Sequence, residues 1–270
     1  MQRVEAVALP ICKIMRLPFS IKAFSVATAL LLTCAASRAQ SADELIKKGD
    51  VCDVKLQAAE ALEYYLPATK LEPKNARLFV CISRQYRHLM TDAATPDEKL
   101  ILGGIALTYA HRAAALAPND VEAQLAVAIT YGKMLPFQGT KDQVQASPRI
   151  KEAVDKALEL DPRSDTAWHI LGRWQRVLAG MNPLKKALAP LFYGKLPTGT
   201  NEAAVACFEK AIEINPDRLM HYIELGIAYA QMGRSADARR FIAKGLAMPD
   251  VEKDDPGTKQ RGREVLAKLR

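Results

Sequence analysis

Five prolines, Pro73, Pro118, Pro162, Pro216 and Pro249, close five similar segments (KLEP, ALAP, ELDP, EINP and LAMP), and this recurrence limits the chain to a repeated helical unit. Upstream of the first four, small or apolar residues fall five, eight and twelve places back: Ala68/Tyr65/Ala61, Ala113/Ala110/Ala106, Ala157/Val154/Ile150 and Ala211/Phe208/Ala204. Steps of three and four place each trio on one stripe of a helix. Proline then ends the helix, because it lacks a backbone N–H and pushes the residue before it out of the α region.

Successive prolines are 45, 44, 54 and 33 residues apart. A helical hairpin of about 34 residues with such a stripe is the tetratricopeptide repeat (TPR). Three units therefore carry insertions and the last is near regular, with Tyr222, Leu225, Gly226, Tyr229, Gly233 and Ala238 at the repeat's signature positions. The expected fold is all-α: a TPR solenoid of about five degenerate hairpins with a C-terminal capping helix, whose charges Lys259, Arg261, Arg263, Glu264 and Lys268 suit a solvent-facing end. The first helices of the hairpins fall at 43–50, 75–90, 121–134, 164–178 and 219–231, and their partners at 56–71, 96–116, 148–160, 201–214 and 235–247. Asn75, Asp92, Asp120, Ser164, Thr200 and Ser235 stand at or near helix starts, where short polar side chains satisfy free N–H groups.

The N-terminus reads differently. Lys13, Arg16 and Lys22 precede the apolar run 23–36, and small residues follow at Ser37 and Ala39. That order predicts a secretory signal peptide over 1–39, cleaved between Ala39 and Gln40, with Met15 as an alternative start. The expected domains are then 1–39 and a solenoid over 40–270, exported to the periplasm or secreted; a lipoprotein acylated at Cys34 is the alternative. Removing 1–39, with its five basic residues and one acidic, halves the net charge from +8 to +4. So modest a charge does not point to nucleic acid. Cys52, Cys81 and Cys207 remain, each in a helical pattern that suits a small buried hydrophobe.

From Thr166 to Pro216 the chain reads TAWHILGRWQRVLAGMNPLKKALAPLFYGKLPTGTNEAAVACFEKAIEINP. Leu171, Gly172, Arg173 and Trp174 form an LGRW helix; Leu184, Lys185, Lys186, Leu191 and Phe192 a Lys-rich apolar insertion. Pro197, Thr198 and Thr200 mark a turn, and Glu202, Phe208, Lys210 and Ala211 a second helix. This stretch resembles the regulator of microtubule dynamics family, here in an exported, bacterial-type form, and the likeness extends through RIKEAVDKALELDP and MPDVEKDD. The resemblance implies the TPR fold and a non-enzymatic binding role; an exported chain would not meet tubulin.

In TPR hairpins, positions 2, 5, 9 and 12 of the first helix line the concave surface. That register gives Arg77, Val80, Arg84 and Arg87 in the second unit and Thr166, His169, Arg173 and Arg176 in the fourth, with Glu122, Leu125, Ile129 and Gly132 between them. The fifth unit contributes Met220, Ile223, Ile227 and Ala230. The expected groove is basic over an apolar floor, with Arg77, Arg84, Arg87, His169, Arg173 and Arg176 as candidate partner-binding residues. Guanidinium groups suit an acidic or C-terminal protein segment or an anionic lipid headgroup. The residues 180–199 carry lysines beside Leu188, Leu191 and Phe192, a pattern for a membrane surface or for folding back over the groove. No nucleophile, metal-ligand or phosphate-loop motif occurs, so no enzyme activity, cofactor or metal is expected. The function read from sequence is an envelope protein-interaction scaffold, with a lipid binder or an auxiliary subunit of an exported enzyme as alternatives.

Overall fold

A computed structural model describes residues 41–181 and 198–269. Among the described residues there are eleven α-helices, one 3-10 turn and no strand. They are α1 Ala42–Val54, α2 Ala58–Leu71, α3 Ala76–Asp92, α4 Pro96–Leu116, α5 Val121–Met134, α6 Thr140–Leu160, α7 Asp165–Ala179, α8 Asn201–Ile214, α9 Leu219–Gln231, α10 Ser235–Ala247 and α11 Asp255–Lys268. The 3-10 turn Leu135–Phe137 joins α5 to α6. Each odd helix packs on the even helix after it, and each even helix on the next odd one, which makes five stacked hairpins capped by α11.

The proline punctuation holds. Helices α2, α4, α6, α8 and α10 each stop two residues before a proline, and the residue between is extended, as Ala117 at φ −133°, ψ 73° shows. All twelve stripe residues upstream are at most 2% exposed. Alanine dominates the stripe because neighbouring helices close to within a methyl group there, and the larger Tyr65, Ile150 and Phe208 fill what space remains.

Caps explain most helix starts. Asn75, Asp120, Ser164 and Thr200 accept from the backbone N–H three residues on, at 2.8 to 3.2 Å. Two expected caps fall elsewhere: Asp92 ends α3, and the residue before α10 is Arg234, with no side-chain cap. Thr95 with Glu98, and Ser41 with Glu44, form reciprocal capping boxes instead. Several boundaries also move, α1 running on to Val54 among them. Pro148 lies inside α6, which begins at Thr140, and Leu56 sits outside α2 with φ 57°. Pro148 cannot donate to the carbonyl four residues back, yet the helix runs through it, with Ala146, Ser147 and Ile150 buried on either side. The expectations for 1–39, for Cys34 and for most of the 180–199 segment lie outside the described residues.

Close approach fixes the register of the last two hairpins. A Cβ on Gly172 would meet the Phe208 ring at 2.7 Å, whereas one on Gly226 would meet Ala238 O and Ile242 N at 2.9 Å. A ring can swing aside; a backbone cannot. Gly226→Ala should therefore destabilise by about 1 to 3 kcal/mol and more than Gly172→Ala, read as midpoint shifts in urea unfolding.

Candidate functional site: a concave groove with a buried charge network

The first helices of the hairpins turn one face inward, and α3, α5 and α7, with the 3-10 turn and the start of α6, enclose a groove of about 510 Å³. Its wall is apolar at Val80, Ala126, Ile129, Ile170, Trp174 and Val177 and charged at Arg84, Arg87, Lys133, Arg173, Glu122 and Asp254. Trp174 is set by its indole N–H, which donates to Ser147 O and Oγ at 3.1 and 3.0 Å.

Of the residues expected on the concave face, Val80, Arg84, Arg87, Glu122, Ile129, Gly132, Thr166, His169, Arg173 and Met220 line this groove. Arg77 does not: it projects to solvent and binds Asp50 of α1 at 2.9 Å. Leu125, Ile223 and Ile227 are core residues, so the groove fades at the fifth unit, where α9 turns toward α11. Arg84 is paired with Asp53.

Arg176 meets Glu224, which sits on α9 and is 1% exposed. Three arginines converge on this one carboxylate: Arg176 at 2.8 Å, Arg261 of α11 at 3.3 Å and Arg173 at 3.5 Å. The Arg176 contact to Oε2 is a charge contact without hydrogen-bond geometry, since Oε2 has no bond partner. Burial alone would raise the Glu224 carboxyl, but the guanidinium groups of Arg176, Arg173 and Arg261 outweigh it and hold the group far below the ordinary carboxylate range.

His169 and His221, 52 residues apart in sequence, touch through their Nδ1 atoms at 3.0 Å in a buried position. His221 Nε2 lies 3.0 Å from Asp165 Oδ2, which also accepts from Arg218 Nη1 at 2.7 Å. Burial raises the Asp165 carboxyl, yet the bonds from His221 and Arg218 bring it down to about 2. Burial is the main force pushing His169 well below 6.5, and it lowers His88, whose Nδ1 is buried without a partner, to about 4.

The segment before α11 spans the groove's edge. Glu252 binds Arg218, Lys253 binds Asp92 at 2.8 Å, and Asp254 binds both Lys133 at 2.6 Å and Thr91 at 2.8 Å. Arg87 alone among the groove's inner cations has no carboxylate partner among the described residues; its Nη1 donates to Ser83 and Thr130 hydroxyls at 2.9 and 3.3 Å.

Sequence reasoning missed Glu224, His221, Asp165, Arg218, Lys133 and Asp254. One signal was present: Glu224 is the single acid in the otherwise apolar helix LMHYIELGIAYAQ, a position that demands cationic partners. The histidine pair has no sequence signal, because helices from two different hairpins build it. Among the described residues no cluster suits a metal ion, and no helix is long and apolar enough to cross a membrane. Cys52, Cys81 and Cys207 are free thiols, and burial pushes Cys207 up to about 11.

A family model described as regulator of microtubule dynamics protein 1-3 matches residues 39–270. Regulator of microtubule dynamics protein 2 of Macaca fascicularis is 25% identical over 70% of this chain and 46% of its own length. The Bos taurus regulator of microtubule dynamics protein 1 is 24% identical over 90% of this chain and 77% of its own. The chain thus spans about half the length of the protein 2 relatives it matches. A solved thermophilic TPR protein of Thermus thermophilus superposes with TM-score 0.59 and 16% identity, over 84% of this chain and all of that one. Its likeness shows the fold, that of a TPR solenoid. These relatives overturn the expected periplasmic, secreted or lipoprotein location: they are animal proteins named for regulating microtubules, and nothing in their names marks an exported protein.

Two outcomes follow from the charge network. Glu224→Gln leaves Arg176, only 13% exposed, without its counter-charge, and should cost about 3 kcal/mol in denaturant unfolding. The histidines give a second. Their folded values lie below 6.5, so the unfolded chain takes up protons that the folded chain refuses; stability present above pH 6.5 is lost as pH falls toward 4, by up to about 1.4 kcal/mol per unit for each such histidine. His169→Gln, which keeps a donor toward His221, should flatten the unfolding profile between pH 6 and 4.

Proposed function

Because the chain belongs to the regulator of microtubule dynamics family, we propose that it is a non-enzymatic scaffold that seats a segment of a protein partner in the groove between α3, α5 and α7. A TPR solenoid is an interaction scaffold by construction: stacked hairpins bury their own cores and leave a continuous concave face free. The observation that carries the reading is the enclosed groove with its apolar wall and its inner guanidinium, Arg87.

The geometry narrows the partner chemistry. Arg84 is neutralised by Asp53, Arg176 lies outside the groove on Glu224, and Arg173 shares that carboxylate with Arg176 and Arg261, so part of the expected basic character is drawn away from the groove. What remains for a ligand is Arg87, the uncompensated part of the Arg173 charge, His169 and the apolar wall. These suit a segment with one anionic group among apolar side chains rather than a run of acids. With the export reading set aside, the objection to a microtubule setting falls, and the names of the relatives make it the first setting to test.

The test is site-specific photo-crosslinking on the full chain. A crosslinking amino acid at Ile129, on the groove wall, should capture a discrete partner from cell extract or from polymerised tubulin, and the same probe at exposed Ile101 should not. Equal capture from both positions would remove the groove from the function. Capture of lipid alone at Ile129 would replace the protein partner by an anionic amphiphile, which the apolar wall would also accommodate.

A further inference from the structure

Two features of the groove, both independent of its overall charge, specify a ligand more narrowly. The first is Arg87. It is 7% exposed, and its bonds go to two neutral hydroxyls, Ser83 and Thr130. Its neighbours Arg84 and Lys133 have acid partners in Asp53 and Asp254, whereas Arg87 has none among the described residues. Burial lowers it only to about 10, so it is cationic at neutral pH. A buried cation facing a cavity without a counter-ion is an unfavourable arrangement that an entering anion relieves.

The second feature is the proton order in the Asp165–His221–His169 chain. Asp165 is ionised and accepts from Arg218, so His221 Nε2 carries a hydrogen toward it. Neutral His221 then has a bare Nδ1, and His169 must donate to it from its own Nδ1. That leaves His169 Nε2 with its lone pair, on a side chain that lines the groove. A ligand that satisfies both features brings an anion and a hydrogen-bond donor. An alkyl carboxylate brings only the anion. The C-terminus of a peptide brings both, as its α-carboxylate and its main-chain N–H groups, and apolar side chains between them meet Ile129 and Ile170.

We propose that the groove receives the free C-terminus of a partner protein ending in apolar residues, with Arg87 binding the α-carboxylate and His169 Nε2 accepting a main-chain N–H. The inference rests on the groove being the partner site.

The test is calorimetric titration of the full chain with a pool of N-acetylated tetrapeptides of Ala, Val, Leu and Ile, as free acids and as C-terminal amides, with laurate as a third probe. The free acids should bind about ten- to a hundredfold more tightly than the amides, the range of a charge-assisted contact out of water. Arg87→Gln should cut that preference to about twofold or less while melting no lower than wild type, because it removes an unpaired buried charge. His169→Phe should weaken acids and amides by the same factor and leave laurate unchanged. Equal affinity of acids and amides, no binding of either, a preference that survives Arg87→Gln, or laurate binding as tightly as the acids would each overturn the proposal. Partner capture from Ile129 alongside any of these results would sink this inference alone; no capture there would sink the groove reading with it.

Discussion

A single buried carboxylate holds the second half of this solenoid together. Glu224 lies in the middle of an apolar helix, and its ionised state is affordable only because α7 brings Arg173 and Arg176 and α11 brings Arg261 to it. Hydrophobic packing between TPR hairpins is nearly non-directional and would tolerate several rotations of α9 against α7. A buried ion cluster does not, since any slip strands a charge. The cluster therefore ties the fourth unit to the fifth and to the cap. It also draws Arg176 out of the groove onto Glu224 and gives Arg173 a share of the same carboxylate, so fewer free cations face the groove than the sequence suggests.

The same logic separates what was legible in the sequence from what was not. The helices were legible because each is specified locally: the stripe Ala113/Ala110/Ala106 and the proline after it suffice to place α4. Local rules failed at Pro148, which marks a helix start in isolation but sits inside α6 among the buried Ala146, Ser147 and Ile150, since burial between helices is not written in the local pattern. The concave register placed Arg84, Arg87, His169 and Arg173 on the groove, since the period of a helix fixes which residues share a face. Their partners were not legible. Asp53, Glu224 and Asp254 come from other helices or from the loop before the cap, and no spacing within one helix encodes a meeting between hairpins.

Location was misread for a related reason. Basic residues, an apolar run and small residues in order are a strong local pattern, but the family match over 39–270 and the animal relatives carry information of another kind. The repeated hairpins themselves were read from the same sort of local pattern and agree with both fold and family, because there the pattern recurs. Recurrence is what made the one reading secure.

The three consecutive charges Glu252, Lys253 and Asp254 change how such a protein should come apart. An ordinary solenoid is nearly one-dimensional: each unit touches only its neighbours, so it can fray from either end. Here Asp254 reaches Thr91 across 163 positions of sequence, and Lys253 reaches Asp92 in the same helix. The array becomes a closed circuit in which the second unit and the cap share their fate. Loop-closure entropy must be overcome before those contacts form, so the circuit closes late in folding and, once closed, suppresses end-fraying in favour of collective melting.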